Sequence, residues 1–170
     1  MDGNDRQDKR AGVWMMVQND DSVQKVIPLT TIHYDPMARG TWCQFPYPRH
    51  PKGCPNFDKG CTVKRPNFTV IRELYTWYAV VETFDLKSHA EKKKTDHPGW
   101  SERQCRNPLY WQGAVRKRLR KKAESLNGDI ILDIPEACGI NVFETMANVG
   151  IVLEKKPQTV IKVMIVGRKL

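Results

Sequence analysis

The stretch from Trp42 to Cys61, WCQFPYPRHPKGCPNFDKGC, constrains the fold of this chain more than any other part of it. It contains four prolines and two glycines, and proline fits neither the interior of a helix nor a central strand. A segment of this composition buries little apolar surface, so its own packing cannot fix its conformation. Three of the five cysteines of the chain lie in it, and a metal ion or cluster held by thiolates is the simplest external constraint.

The remaining sequence predicts a single α+β domain. The chain has 170 residues, enough for one domain with a substantial core. Residues 1–10 are polar and mixed in charge and predict a disordered tail, so residues 11–170 form the expected metal-binding domain. Hydrophobic periodicity and turn signals place the elements. Strands are predicted at 11–18, 23–29, 75–84, 129–134 and 159–166, helices at 85–95, 108–126 and 134–150, and a short turn at 101–106.

These elements do not alternate strictly along the chain, which favours a mixed sheet with helices on one side. Residues 30–65 carry almost no periodic signal and predict a long cysteine-rich loop. A loop of this length inside a compact domain is uncommon unless it has a function or is held by a metal.

The cysteine spacing predicts a shared metal site. Ten residues separate Cys43 from Cys54, six separate Cys54 from Cys61, and Cys105 follows at the start of a predicted helix. Thiolates are stabilised near helix N-termini and by neighbouring cations. We therefore expect Cys43, Cys54, Cys61 and Cys105 to be metal ligands.

The same spacing favours an iron–sulfur cluster, with a 4Fe–4S cluster preferred, over zinc. No two cysteines are separated by two residues, as they are in most zinc knuckles. A cluster is larger than a single ion and accepts ligands that are spread over a loop. Zinc in a structural site is the alternative, and free thiols without a metal are a third interpretation.

Three further residues are possible additional ligands. Cys138 falls in the first turns of the predicted helix 134–150, where it is either a small packing residue or a fifth thiol near the cluster. His50 and His97 each precede a proline in a loop, and His50 lies among the cysteines. A loop histidine is a candidate ligand, although a solvated or hydrogen-bonded ring is the more common case.

The charge of the chain suggests a polyanionic partner. The formal net charge is +9 and the isoelectric point is about 9.4, a balance typical of contact with nucleic acid. The predicted helix 108–126 concentrates this charge on one segment. Its candidate nucleic-acid-binding residues are Arg116, Lys117, Arg118, Arg120, Lys121 and Lys122. Trp100, Tyr110 and Trp111 lie just before them and could stack on bases, whereas a solvated helix face is the plainer interpretation.

The sequence contains no apolar run of about 18 residues, so no membrane-spanning helix and no membrane partner are expected. The first ten residues lack the apolar region of a secretory signal, and a cytoplasmic location is therefore predicted. Disulfides are uncommon in that compartment, which again favours metal binding or catalysis for the thiols.

Four segments together resemble a family of small cysteine-rich proteins from prokaryotes and their viruses, described as predicted metal-binding proteins of unknown function. The segments are HPKGCPNF, FDLKSH, HPGWSERQCRNPLYWQG and PEACGINVFETMANVGI. The likeness is one of motif order and spans about residues 40–167. It implies a cysteine-ligated metal, in particular an iron–sulfur cluster, with Cys43, Cys54, Cys61 and Cys105 as ligands, and it leaves Cys138 open. The chain departs from the family pattern after Cys61, where Thr62 and Val63 replace an expected Pro-Pro.

Three functions are compatible with these features. In the first, the metal orders the loop and the basic helix binds nucleic acid. In the second, a cluster with three thiolate ligands leaves one iron open for non-redox or sulfur chemistry, assisted by Cys138, Glu136 or Asp58. In the third, the protein has a redox or sensor role, and loss of the cluster changes its binding to nucleic acid. No glycine-rich phosphate loop and no HExxH motif occurs in the sequence, so an enzymatic function would depend on the cluster alone.

Overall fold

A computed structural model describes residues 17–19, 22–46, 50–57, 59–154 and 157–170 of the chain. Its centre is a five-stranded sheet in the order β1-β2-β3-β5-β4. The strands are β1 (Val17–Asn19), β2 (Ser22–Leu29), β3 (Tyr75–Asp85), β4 (Ile130–Leu132) and β5 (Thr159–Lys169). The helices are α1 (Thr41–Gln44), α2 (Phe68–Ile71), α3 (Leu86–Asp96), α4 (Glu102–Cys105), α5 (Gln112–Ser125) and α6 (Val142–Ala147).

Strands β3 and β5 form the middle of the sheet because both are rich in β-branched and aromatic residues. They pair antiparallel over eleven residues, from Tyr75 opposite Lys169 to Asp85 opposite Thr159. Strand β2 pairs with the other side of β3, and the short β4 pairs with the C-terminal half of β5. Consequently, β5 has a neighbouring strand along its whole length on one side and along only part of its length on the other.

Alternate residues of the central strands face two different layers. On one face, called here the α6 face, Ala79 and Ile165 pack against Ile140 and Met146. On the opposite α5 face, Val80, Met164 and Val166 pack against Leu119 and Ala123 of α5. The sheet is therefore covered on both sides.

The predicted α+β class and single domain agree with this architecture, but two details of the prediction were wrong. All the described strand pairs are antiparallel, whereas a mixed sheet was expected. Helices were expected on one side, yet α5 and α6 lie on opposite faces. Sequence periodicity identifies the buried stripe of a helix but does not say which face of a sheet that stripe covers.

The predicted helix 134–150 is divided in two. A 3-10 helix spans Pro135–Cys138, and α6 begins only at Val142. Gly139 separates them with a φ angle of 90°, a left-handed conformation that glycine adopts without a steric penalty. A Cβ at this position would also collide with the ring of Tyr34.

The other predicted elements match the structure closely. The strands predicted at 23–29, 75–84, 129–134 and 159–166 correspond to β2, β3, β4 and β5. Asp85 caps α3 by accepting a hydrogen bond from the N–H of Ser88, and Ser101 forms a capping box with Gln104 at the start of α4. The predicted tail at 1–10 and most of the predicted strand at 11–18 lie outside the described residues.

Candidate functional site

The cysteine loop, residues 30–67 between β2 and α2, is attached to the sheet at the turn around Gly139. Tyr34 forms an isolated antiparallel bridge with Ile140, and the N–H of Asp35 donates to the carbonyl of Gly139 at 2.8 Å. Helix α1 then carries Cys43 in a single turn. The short segment 135–139 therefore fixes where the cysteine loop leaves the core.

Gly53 allows the two halves of the loop to cross at Cys43 and Cys54. The N–H of Cys54 donates to the carbonyl of Cys43 at 2.6 Å. A Cβ on Gly53 would collide with the carbonyl oxygen of Cys43 and would lie 2.9 Å from the Cα of Gln44, so only glycine permits this approach. Its φ angle of 87° also favours glycine.

This crossing brings three thiols into one neighbourhood. Burial raises the pKa of the Cys43 thiol, and the nearby thiols of Cys54 and Cys61 raise it further. Arg65 donates from Nη1 to the Sγ of Cys61 at 3.3 Å. Three of the four predicted ligands are thus grouped beside a cation.

Arg39 binds the end of the cysteine loop to the core through four carbonyl groups. Its Nη1 donates to the carbonyl of Ala137 at 2.8 Å and to that of Pro66 at 3.1 Å. Its Nη2 donates to the carbonyls of Thr62 and Arg65 at 2.9 and 3.1 Å. Hydrogen bonds from a charged donor are stronger than neutral ones, so this side chain fixes the position of the segment that follows Cys61.

Cys138 lies next to this group but in the core. It is fully buried on the α6 face, and burial raises the pKa of its thiol to about 11. The positive charges of Arg39 and Arg65 act in the opposite direction, which places Cys138 close to the same two arginines that hold the cysteine loop. A thiol with this pKa is protonated at neutral pH unless a metal displaces the proton.

The fourth predicted ligand, Cys105, lies outside the cysteine loop, and its role as a ligand stays a prediction. Cys105 ends the short helix α4, which packs against α3, and its side chain is buried. His50 lies in the cysteine loop, half-buried, between Cys43 and Cys54 in sequence.

The chemistry of these thiol ligands suits a soft metal, but the side chains are not yet close enough together to hold one. Thiolates select zinc and iron–sulfur clusters, and Arg39, Arg65 and the exposed Lys52 and Lys59 can offset their negative charge. Within the described residues, however, no three His, Cys, Asp or Glu side chains are grouped tightly enough to hold a metal ion as they stand. Binding would therefore require the thiols to converge further.

The basic residues of α5 divide into two groups. Arg118 forms an ion pair with Glu82 at 2.6 Å, and Arg120 forms one with Asp133 at 3.0 Å. These two cations are committed to internal carboxylates, so they are poor candidates for a ligand surface. The other four predicted cations have no carboxylate partner in the part of the chain that the structure describes. They are Arg116, Lys117, Lys121 and Lys122.

An aromatic stack lies beside the start of α5. The rings of His97 and Trp100 stack with centroids 4.0 Å apart, and Trp100 stacks on Tyr110 at 5.3 Å. The ammonium group of Lys93 lies 5.6 Å from the centre of the Tyr110 ring. Trp111 is not part of this stack, since it is buried and stacks on Phe84 in the core.

Sequence reasoning missed the two arginines that organise the cysteine loop. Arg65 pairs with Asp133 at 2.9 Å across 68 residues, and Arg39 reaches Ala137 across 98 residues. No local pattern signals such long-range partners. The only available signal was the position of Arg65 four residues after Cys61, within reach of its sulfur in a helical turn.

Comparison with protein-family models, with curated proteins and with solved structures found no match. In the described part of the chain, the helices are too short or too polar to span a lipid bilayer.

Proposed function

We propose that this protein binds a thiophilic metal centre in the cysteine loop through Cys43, Cys54 and Cys61. The observation that supports the proposal best is the crossing at Gly53, where the backbone N–H of Cys54 donates to the carbonyl of Cys43 at 2.6 Å. Cys43 and Cys54 are eleven residues apart in sequence, and they approach this closely because the backbone of the loop turns at Gly53. An iron–sulfur cluster is the preferred centre and a structural zinc ion is the alternative.

Cys138 is the favoured fourth ligand in this proposal, in place of Cys105. Arg39 and Arg65 act on the Cys138 thiol, and Arg65 also donates to Cys61, so Cys138 and Cys61 share a cation. His50 is the other candidate for this position. With only three thiolates a cluster would keep one iron open, which is the arrangement that the enzymatic alternative needs.

The proposal is tested by purifying the full chain without oxygen and measuring iron, zinc and acid-labile sulfide per chain. A brown preparation with iron and sulfide in equal amounts supports a cluster, and a colourless one with one zinc per chain supports the structural alternative. A preparation that holds neither metal, and that does not take up either one when it is added, would refute metal binding.

The aromatic stack and the unpaired cations of α5 favour a second function, binding of single-stranded nucleic acid. Stacked aromatic rings provide a platform on which successive bases can lie, and each stacked base contributes about 1–3 kcal/mol. Lysine and arginine side chains without internal partners are free to neutralise phosphates. Trp100 and Tyr110 lie within one short segment before α5, so base stacking and phosphate contact can occur along one strand.

The affinity for fluorescently labelled single-stranded DNA and RNA, measured over a range of salt concentrations, tests this function. Replacing both Lys117 and Lys121 with alanine should lower the affinity and reduce the salt dependence. The matched control replaces Lys59 and Lys64, two equally exposed lysines of the cysteine loop. Absence of binding at low salt, or an equal loss in the control, contradicts a nucleic-acid function of α5.

A further inference from the structure

The backbone of the cysteine loop holds Cys43 and Cys54 at a separation that a disulfide can span. The N–H of Cys54 donates to the carbonyl of Cys43 at 2.6 Å. Standard bond lengths on either side of this hydrogen bond limit the distance between the two Cα atoms to about 6.5 Å. Cysteines that form disulfides have Cα atoms about 4.4–6.8 Å apart. The backbone therefore needs no large movement for these two residues to be linked.

The thiols of Cys43 and Cys54 are also close neighbours. Burial raises the pKa of the Cys43 thiol, the charge of a Cys54 thiolate raises it further, and the charge of Cys61 follows. The interaction between two charges weakens with distance. The effect of Cys54 on Cys43 therefore agrees with the short backbone contact between them.

The third thiol of the loop, Cys61, is held towards a different group. Nη1 of Arg65 donates to the Sγ of Cys61 at 3.3 Å and to its carbonyl at 2.9 Å. Nε of the same guanidinium group donates to Asp133, which fixes its orientation. Cys43 and Cys54 are thus the pair that the fold favours for bond formation.

The exposure of the cysteines also favours this pair. Cys43 and Cys54 are partly exposed, whereas Cys105 and Cys138 are buried, with 1% and 0% of their surface exposed. Oxidation of a thiol requires access for the oxidant, and buried structural cysteines are inert. An oxidant in solution therefore reaches the thiols of the loop before those of the core.

We propose that Cys43 and Cys54 form a reversible disulfide when the protein meets a hydroperoxide. One sulfur attacks hydrogen peroxide and breaks the O–O bond, which gives a sulfenic acid and one water molecule. The other sulfur attacks the sulfenic acid, forms the S–S bond and releases a second water molecule. Two thiols and one peroxide thus give one disulfide and two water molecules. A dithiol reductant reverses the reaction by exchange and becomes a disulfide itself.

The disulfide gives the cysteine loop a redox-dependent affinity for metal. The disulfide itself forms without any metal, but this consequence rests on the function proposed above. Metal ligands are thiolates, and the S–S bond removes two of the three that the proposed centre uses. The reduced loop therefore binds the metal and the oxidised loop does not.

The test uses the full chain, reduced and free of metal, with one equivalent of hydrogen peroxide. The monomer is isolated by gel filtration, its remaining thiols are alkylated, and it is digested with trypsin without reductant. Arg49 and Lys52 lie between the two cysteines, so trypsin separates them. The three loop cysteines then fall, in chain order, in peptides 40–49, 53–59 and 60–64.

We expect the loss of two thiols per chain and a linkage between peptides 40–49 and 53–59. This linkage should be at least about tenfold more abundant than any other pair, and a dithiol should remove it. In concentrated urea the preference should be lost, since Cys54 is closer in sequence to Cys61 than to Cys43. Absence of the linkage, a comparable yield of a pair with Cys61, or the same preference in urea would overturn the proposal.

Two matched serine variants and a metal measurement complete the test. Cys61→Ser should form the linkage with a yield within about twofold of the wild type, whereas Cys54→Ser should leave Cys43 as a thiol. The reduced wild type should take up zinc from zinc chloride, and the oxidised one only after treatment with the dithiol. Equal uptake by the two forms would overturn the redox-dependent affinity. A reduced chain that binds neither zinc nor iron refutes the proposed metal function, and with it this affinity, but leaves the disulfide measurement standing.

Discussion

The Nε atom of Arg118 donates to Oε1 of Glu82 at 2.6 Å, and the Glu82 side chain is completely buried in the centre of the sheet. Its other carboxylate oxygen, Oε2, is buried without a hydrogen-bond partner in the described residues. A buried carboxylate that loses the cation with which it is paired leaves an uncompensated charge. Arg118 is thus part of the fold, although it stands in a run of basic residues.

We therefore predict that Arg118→Ala lowers the free energy of unfolding by about 3 kcal/mol. Lys121→Ala on the exposed side of the same helix should change it by less than about 0.5 kcal/mol. Urea denaturation followed by circular dichroism measures both. If Arg118→Ala unfolds at the same urea concentration as the wild type, the ion pair does not stabilise the protein.

The pairing of Asp133 with two arginines predicts a dependence of stability on pH. Burial acts to raise the pKa of Asp133, but the hydrogen bond from Arg65 and the charges of Arg65 and Arg120 outweigh it, so the pKa is lowered. A group with a lowered folded-state pKa stabilises the protein above its unfolded pKa, about 3.9, and this contribution is lost as the pH falls through the folded value.

Asp133→Asn should accordingly lower the free energy of unfolding by about 2 kcal/mol at pH 7, and the difference from the wild type should shrink below about pH 4. Denaturation in urea at a series of pH values provides the measurement. A difference that stays constant from pH 7 to pH 3 would mean that the charge of Asp133 contributes nothing.

The ligand set proposed above, which leaves out Cys105, predicts opposite outcomes for two cysteine variants. Cys54→Ala removes a thiol at the crossing and should abolish stoichiometric metal binding. Cys105→Ala should keep the metal, because this buried residue ends α4, a helix that packs against α3 and lies outside the cysteine loop. Metal content per chain after anaerobic purification distinguishes them, and loss of the metal from the Cys105 variant would restore the original four-cysteine assignment.

The left-handed turn at Gly139 predicts an unequal pair of glycine substitutions. Gly139→Ala forces a Cβ into the Tyr34 ring at a φ angle of 90° and should cost about 2 kcal/mol. Gly113 lies in the first turn of α5 with open space around it, so Gly113→Ala should stabilise the protein by about 0.5–1 kcal/mol. Thermal unfolding of the two variants is the measurement. Equal midpoints would contradict the steric argument.

The features of the fold that could be predicted are those that depend on short-range sequence patterns. The apolar runs of β3 and β5, the Asp85 cap and the Ser101 capping box each depend on residues within a few positions of one another, and each was predicted correctly. The antiparallel sheet and the distribution of helices over both faces depend on contacts between distant segments. Periodicity carries no information about those contacts.

The candidate site was predictable to the same extent. Cysteine counting selected Cys43, Cys54 and Cys61, which the crossing at Gly53 groups together. It gave Cys105 the same weight because a buried packing thiol and a ligand are alike in sequence. The internal use of Arg118 was equally hidden, since its carboxylate partner lies 36 residues earlier in the chain.

The four carbonyl bonds of Arg39 have a consequence for assembly of the protein. They tether the C-terminal part of the cysteine loop to residue 137 without using any sulfur atom. Oxidation or alkylation of the loop thiols would therefore leave this attachment intact. Attachment of this segment to the core therefore requires no metal, and folding of the chain could precede the metal binding proposed above.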